Sequence, residues 1–279
     1  MPLVLFISYA GMLGGAERVL VQFAGALEGE TCIACPPGPL ADAAHAAGLR
    51  VLPLRLRPLE LRASVRDRVL APLRLASHRF DALSLVRNLE PDLLVAWGAR
   101  TALALTGVRS CPVVFEHHEF VPGPLIGALV RRAAARADLV TVPSRAIASD
   151  LDPGGRLGER LAVIPPGVET PVQDGGQPPV RPPEVLVLGA LAAIKEPQLA
   201  LEAFALVRAR HPHARLRFVG EPVSELDPIP AQLRDRAALP DLEGAVEFAG
   251  ATADPGPDLG RATCLLHCST REAFGLGVL

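Results

Sequence analysis

The sequence LVLFISYAGMLGGAERVLVQFAGAL, residues 3–27, sets the pattern on which the rest of the chain is built. Its first six residues are mostly apolar and include β-branched side chains, which is typical of a buried strand. Gly11, Gly14 and Gly15 interrupt this run, and apolar residues then recur at helical spacing up to Leu27. The stretch therefore predicts a strand, a glycine loop and a helix, the unit from which parallel sheets are made.

Short apolar runs separated by helical stretches continue along the first part of the chain. They predict further strands at residues 31–35, 51–54, 93–97, 113–116, 139–142 and 161–164. Residues 170–183, TPVQDGGQPPVRPP, are dominated by proline, glycine and polar residues and are typical of a linker.

A second alternating series follows this linker. It predicts strands at residues 184–188, 215–219, 245–248 and 263–267, and helices at residues 197–210, 231–239 and 257–262. Strands that alternate with helices indicate parallel sheets with helices on both faces. We therefore predict an α/β protein with two Rossmann-like, doubly wound domains, residues 1–170 and 184–279, joined by a linker at residues 171–183. Ligands of such sheets lie at the carboxyl ends of the strands, and we expect a cleft between the two domains.

The composition restricts the class of protein. The chain has 279 residues, of which 49% are hydrophobic and 21% charged, as in a folded globular protein. Its net charge of −2 argues against nucleic-acid binding. No run of about 18 apolar residues and no secretory signal is evident, so we expect a cytoplasmic protein. The dominance of arginine over lysine suggests a bacterial source with a GC-rich genome.

Cysteine occurs in two small clusters. Cys32 and Cys35 form a CxxC pattern, and Cys264 and Cys268 flank His267. Both clusters lie in apolar runs that are predicted as strands, where cysteine usually acts as a small buried side chain. We expect reduced thiols and no metal centre, because a zinc site needs closely placed ligands on loops or turns.

Two glycine-containing loops are candidates for binding an anion. Gly14 and Gly15 precede a predicted helix, where backbone N–H groups attract anions; a tight turn without a ligand is the alternative. Gly189 opens the loop LGALAAIKE, which carries Lys195, the one lysine of the chain. A flexible ammonium before a helix suits a diphosphate, and a solvated surface lysine is the alternative.

Two further loops carry polar side chains after predicted strands. Residues 116–119 read EHHE, so His117 and His118 follow a strand directly. Adjacent residues of a strand point apart, so we expect a sugar or phosphate contact, or a surface turn, rather than a shared metal. Residues 269–277, STREAFGLG, place the acid Glu272 among flexible residues after the last predicted strand.

Taken in order, these segments resemble the large retaining GT-B glycosyltransferase family, family 4-like or group 1, which includes bacterial polysaccharide and phosphatidylinositol mannosyltransferases. The segment VIPPGVE, residues 163–169, is similar to the family's VIPNGVD. The opening GGAERVL resembles its first glycine loop, and residues 188–220 resemble its phosphate loop with the flanking strands. The segments VEFAGAT and LLHCSTREAFGLGVL resemble its V-F-L-G and P-S-x-x-E-G-F-G-L patterns. The resemblance covers nearly the whole chain.

The resemblance implies a transfer of sugar from a nucleoside diphosphate sugar to a glycan, lipid or small-molecule acceptor, without cofactor or metal. It implies that Lys195, in the loop opened by Gly189, neutralises the donor diphosphate. It places Glu272 and His117, and less directly His118, at the reacting sugar. The remaining donor contacts that it implies are Gly14, Gly15, Phe274, Gly275 and Leu276.

The sequence departs from the family pattern at three places. Ala190 stands where the family often has arginine, and Pro166 replaces its usual asparagine. The second glutamate of the family's E-x7-E motif would follow Leu279, so we expect a truncated donor motif and an incomplete second domain.

Two rival functions stay open: a nucleotide-sugar epimerase of the same architecture, and an inactive sugar-nucleotide-binding remnant. The stretch from Arg50 to Arg87 contains nine arginines and three acids among leucines. It favours either peripheral contact with the inner face of the cell membrane or an ordinary solvated helix.

Overall fold

The computed structural model describes residues 1–55, 65–168, 182–222, 228–252 and 254–278, with backbone alone for residues 65–70. The chain divides into two compact units, Met1–Gly167 and Val168–Leu279. The predicted linker at residues 171–183 lies, except for its last two residues, outside the described residues.

The first unit is built on a seven-stranded parallel sheet. In chain order it contains β1 (Leu3–Ser8), α1 (Gly15–Ala26), β2 (Glu30–Cys35), α2 (Pro39–Ala46), β3 (Arg50–Pro53), α3 (Val65–Leu89), β4 (Leu93–Trp97), α4 (Ala99–Leu105), β5 (Val113–Glu116), α5 (Pro124–Ala134), β6 (Leu139–Val142), α6 (Arg145–Leu151) and β7 (Leu161–Val163). The strand order is β3-β2-β1-β4-β5-β6-β7. All strands are parallel, and the order in which they are added to the sheet reverses between β1 and β4. Ligands of doubly wound sheets bind at such a point.

Apolar strands and amphipathic helices form the core of this unit. The sheet residues Leu5, Phe6 and Ile33 are fully buried. Helices α1 and α2 pack with Phe6 and Trp97, whereas α4 and α5 pack with Phe115. The two helical layers therefore cover the two faces of the sheet, as the alternation of strands and helices predicts.

The second unit contains a smaller parallel sheet. Its elements are β8 (Glu184–Leu188), α7 (Pro197–Arg210), β9 (Arg215–Val219), α8 (Ile229–Ala237), β10 (Val246–Phe248), α9 (Gly256–Arg261) and β11 (Cys264–Leu265). The strand order is β10-β9-β8-β11, so the order in which strands are added to the sheet reverses between β8 and β11. The side chains of Val185, Phe204 and Phe218 are buried in one cluster between this sheet and α7.

The α/β fold with two parallel sheets confirms the predicted fold class. Several predicted elements have the observed bounds, including β1, β4, β8 and α7. The strand predicted at residues 263–267 is shorter, because β11 pairs with β8 alone and ladder pairing is confined to Cys264 and Leu265. All five cysteines are free thiols; Cys32 and Cys35 are buried in β2, and Cys264 is exposed.

Candidate active site

Two glycines shape the loop that follows β8. Gly189 has a φ of +136° and its N–H donates to the carbonyl of Val219, 2.9 Å away. Gly220, after the neighbouring strand β9, has a φ of +152°, and a Cβ there would lie 1.9 Å from the Gly189 carbonyl oxygen. A side chain at residue 220 is therefore incompatible with this packing. The close approach fixes the path of the chain from Gly189 to Lys195.

Lys195 ends a 3-10 turn, Ala193–Lys195, immediately before α7. The next residue, Glu196, has the left-handed φ of +48°, which is strained for a side chain that is not glycine. The N–H of Thr270 donates to the carbonyl of Ile194 at 3.2 Å and so joins the loop after β11 to this turn. Lys195 and the loop after β11 are thus held beside each other.

A cluster of three charged or titratable side chains lies where these loops meet. The Lys195 ammonium is 2.5 Å from Oε2 of Glu272, and Nε2 of His267 is 3.1 Å from the same oxygen. Each of the three side chains is between a quarter and a third exposed. Burial raises the pKa of Glu272, but the Lys195 ammonium outweighs it, so the pKa lies below its usual value.

The remaining predicted donor contacts of the second unit lie on the same loop as Glu272. Gly275 has a φ of +90°, and a Cβ there would lie 3.3 Å from Cγ of Glu272. Leu276 begins the 3-10 turn Leu276–Val278, and Phe274 and Leu276 are half-buried. The structure therefore brings Gly189, Lys195 and residues 272–276 into one region at the carboxyl edge of the sheet.

In the first unit, Gly14 and Gly15 lie at the start of α1. Gly14 is the N-cap residue, and its N–H donates to Oε2 of Glu17 at 3.1 Å. The carboxylate of Glu17 therefore stands at the helix N-terminus, where the backbone N–H groups and the helix dipole stabilise negative charge.

The two adjacent histidines have different surroundings. His117 is 1% exposed, its ring lies 5.3 Å from that of Phe115, and burial lowers its pKa to about 4. Neither ring nitrogen of His117 has a hydrogen-bond partner among the described residues. His118 is half-buried, and its ring lies 5.8 Å from that of Trp97. Leu13 of the glycine loop packs against the hydrophobic cluster that contains Trp97, so His118 lies on the side of the sheet that carries this loop.

Three residues of these regions were not predicted as site residues. Glu116 accepts a hydrogen bond from the Thr141 hydroxyl, and burial raises its pKa to about 7. Trp97 contacts His118, and His267 contacts Glu272. Each follows or ends an apolar strand, which is the signal in the sequence that marks such positions.

In the described part of the chain, no three or more histidine, cysteine or acidic side chains are grouped so that they could hold a metal ion. No helix there is long and apolar enough to cross a bilayer. The arginine-rich stretch from Arg50 to Arg87 lies partly outside the described residues; its described part includes α3, with Leu73 and Phe80 exposed.

Comparison with protein families gives two matches, one for most of each unit. The profile of Glycosyltransferase Family 4 matches residues 13–171, and that of Glycosyl transferases group 1 matches residues 182–279. The first of these alone covers more than half of the chain.

Similar proteins include two curated relatives and a solved structure. Mannosylfructose-phosphate synthase of Agrobacterium fabrum is 35% identical over 137 residues, 44% of this chain and 30% of that protein. D-inositol 3-phosphate glycosyltransferase of Acidothermus cellulolyticus is 30% identical over 175 residues, 53% of this chain and 38% of that protein. The chain therefore matches well under half the length of either relative.

The solved structure is that of Anabaena Alr3699/HepE in complex with UDP and glucose. It superposes with a TM-score of 0.79 at 21% identity, over 99% of this chain and 76% of that one. The similarity shows that the two chains share a fold.

Proposed function

This chain belongs to Glycosyltransferase Family 4, and on that premise we propose that it transfers a sugar from a nucleoside diphosphate sugar to a hydroxyl group of an acceptor. The acceptor is a glycan, a lipid or a small molecule, and the anomeric configuration is retained. The observation that carries the proposal is the Lys195–Glu272 pair, held 2.5 Å apart on loops at the carboxyl edge of the second sheet.

Lys195 has the position and charge that a diphosphate requires. Lys195 lies directly before the N-terminus of α7, and both its ammonium and the helix dipole attract an anion. The leaving diphosphate gains negative charge as the glycosidic bond breaks, so a fixed cation beside it lowers the barrier to transfer. The backbone N–H groups around Gly275 and Leu276 act in the same way in this proposal.

Glu272 is placed to contact the donor sugar once Lys195 turns to the diphosphate. Its pKa lies below the usual value, so it is a carboxylate at neutral pH and accepts hydrogen bonds from sugar hydroxyls. We assign it no role as a nucleophile.

In the first unit, Gly14 and Gly15 remain the proposed donor contacts of the glycine loop. The surroundings of the two histidines favour His118 for the sugar contact that the sequence predicts for His117. His118 lies on the side of the glycine loop, whereas His117 is almost fully buried beside Phe115. We propose that His117, neutral at physiological pH because its pKa is about 4, supports the position of His118.

The comparisons support a nucleotide-sugar donor. The Anabaena protein was solved with UDP and glucose, and both curated relatives are named for the transfer or synthesis of glycosides. Peripheral membrane contact through the stretch from Arg50 to Arg87 is a separate proposal, supported by the exposure of Leu73 and Phe80 beside arginines. Flotation of the protein with anionic liposomes tests this membrane contact. The absence of binding, or binding that does not weaken with salt, would contradict it.

Calorimetric titration with UDP-glucose and GDP-mannose tests the donor site. We expect one of them to bind, and Lys195→Met to weaken that binding by at least about tenfold, the effect of losing one charge-assisted contact. Arg210→Met, which removes an exposed cation from the last turn of α7, is the matched control and should bind as the parent does.

A transfer assay separates the proposal from its rivals. Donor turnover that needs an acceptor and yields a product of unchanged anomeric configuration, followed by NMR, is the expected result. An epimerase would convert the donor without an acceptor, and an inactive remnant would bind without converting it. Failure of both nucleotide sugars to bind would contradict the donor site itself.

A further inference from the structure

Two basic side chains contact one oxygen atom of Glu272. Oε2 is 2.5 Å from the Lys195 ammonium and 3.1 Å from Nε2 of His267. Lys195 comes from the loop after β8, whereas His267 follows β11 on the same segment as Glu272. The carboxylate is therefore held from both sides of the junction between these two strands.

Lys195 cannot serve a diphosphate and Glu272 equally well. A diphosphate on Lys195 brings negative charge close to the Glu272 carboxylate. Two like charges this close together at a protein surface repel each other. Unless Glu272 gains another counter-charge, this repulsion opposes donor binding or pushes the carboxylate out of the site.

His267 is the neighbour that is able to supply this charge. Imidazole takes up a proton near neutral pH, and its Nε2 already faces the carboxylate oxygen. Among the described residues, Glu272 from its own loop contacts it directly, and Lys195 from the loop after β8 shares the same carboxylate oxygen. One further acid, Glu196, lies near Cys268, since its charge contributes to the raised pKa of that thiol.

We propose that His267 is a positioning residue for donor binding: it binds a proton when the donor diphosphate takes Lys195, and as an imidazolium it holds the Glu272 carboxylate in place. This inference rests on the proposed function, because it assumes a diphosphate at Lys195. The balance is simple: one proton passes from solvent to Nδ1 or Nε2 of His267, and no covalent bond to the donor forms or breaks.

Proton uptake makes donor binding depend on pH with a defined sign. Where His267 is neutral in the free protein and charged in the complex, affinity falls as pH rises, by up to about tenfold per pH unit. At low pH, where the imidazole is charged with and without the donor, the dependence disappears. A merely structural histidine would produce no such linkage.

Titration calorimetry with UDP-glucose and GDP-mannose tests this directly. The diphosphate of these donors is esterified at both ends, so it does not itself titrate near neutral pH. Measurements in buffers of different ionisation enthalpy count the protons that are taken up. Between about pH 6 and about pH 8, we expect the parent protein to take up a substantial fraction of one proton per donor bound.

His267→Gln is the main variant, because its amide N–H still reaches Glu272 but does not titrate. We expect it to bind without proton uptake, with an affinity that does not vary with pH and is about tenfold weaker than that of the parent near pH 6. His267→Leu, which removes the contact as well, should be weaker still. His213→Gln, at an exposed histidine after α7, is the matched control and should keep the proton uptake of the parent.

The experiments distinguish the role of His267 from donor binding itself. If a donor binds with dependence on Lys195, but without proton uptake or with the same uptake in His267→Gln, the role of His267 is wrong and the proposed function stands. If no donor binds to the parent protein, both are wrong. Loss of binding by His267→Gln at every pH would also contradict the proposal, if urea unfolding shows the variant to be as stable as the parent.

Discussion

Two acidic side chains, one in each unit, have pKa values that are shifted in opposite directions. In the first, Glu116 is buried with the Thr141 hydroxyl as its partner, and its pKa is raised to about 7. In the second, Glu272 is about a quarter exposed and faces an ammonium, and its pKa is lowered. The difference shows that desolvation wins where no cation is near, and that an ion pair wins where one is.

This difference gives the two units different chemistry at their strand ends. In the first unit, burial favours the neutral forms of Glu116, with a pKa of about 7, and of His117, with a pKa of about 4. Neutral donors and acceptors suit the hydroxyl groups of a sugar. The second unit presents fixed charges, which suit a diphosphate.

The two units nevertheless share one close backbone contact. We expect its disruption to have the largest effect on the free energy of unfolding. In each unit a glycine after the second strand approaches the loop after the first. A Cβ at Gly220 would lie 1.9 Å from the Gly189 carbonyl oxygen, and one at Gly38 would lie 2.6 Å from that of Gly11. We expect Gly220→Ala to lower the free energy of unfolding by about 3 kcal/mol or more. Gly38→Ala should lower it by a smaller amount, because its contact is less close.

Urea unfolding of the two variants checks this order. The matched control is Gly48→Ala, where φ is also positive, at +75°, but an added Cβ would meet no atom within 4 Å. It reports the cost of backbone strain alone. A cost for Gly220→Ala no greater than that of this control would contradict the close packing of the two loops.

A second prediction uses the opposed pKa shifts of the first unit. Glu116 goes from its ordinary pKa of 4.5 to about 7, so its contribution to stability is present below pH 4.5 and is lost as pH rises toward 7. His117 goes from 6.5 to about 4, so its contribution is present above pH 6.5 and is lost as pH falls toward 4. Between pH 4.5 and 6.5 the two dependences cancel.

A single substitution should therefore reveal how the remaining residue makes the free energy of unfolding depend on pH. Glu116→Gln should make stability rise by up to about 3 kcal/mol from pH 4 to 6.5, and His117→Gln should make it fall by a similar amount from pH 4.5 to 7. Chemical unfolding across this range measures both slopes. Two variants with the same pH dependence as the parent would show that neither side chain is held neutral.

The smallest expected effect concerns the strained residue beside Lys195. Glu196 has a φ of +48°, so Glu196→Gly should relieve strain and raise the free energy of unfolding by about 1 kcal/mol. The control is Glu90→Gly. Glu90 also has a left-handed φ, +46°, and lies far along the chain from Lys195. We expect both variants to gain stability, and only Glu196→Gly to weaken donor binding, because Lys195 loses a fixed neighbour. A Glu196→Gly variant that binds the donor unchanged would show that this strain does not position Lys195.

Much of the fold was predictable because hydrophobic periodicity is a local property. The bounds of β4 and α7 follow from apolar runs and from Pro197 in the first turn of the helix. The position of Lys195 beside Gly189 was predictable as well, since both lie on one loop between a strand and a helix. The ends of the short edge strand β11 were not, because they depend on its single neighbour.

The contacts and pKa values of the site residues were harder to predict from the sequence. The approach of His267 and Lys195 to one oxygen of Glu272 joins loops 77 residues apart in the chain, which no local pattern reports. Alternation along a strand separates His117 from His118, but only the packing of Trp97 and Phe115 shows which histidine faces the glycine loop. The raised pKa of Glu116 depends on burial by neighbours distant in sequence.

Amine-specific labelling tests the central claim most directly, because Lys195 is the one lysine of the chain and the only other amine is the N-terminus. The protein is acetylated with a limiting reagent, with and without UDP-glucose or GDP-mannose, and modification is measured by mass spectrometry of the peptides. A donor diphosphate on Lys195 predicts strong protection of this residue by a bound nucleotide sugar, with the N-terminus labelled as before. Equal labelling of Lys195 in the presence of saturating, demonstrably bound donor would contradict the account.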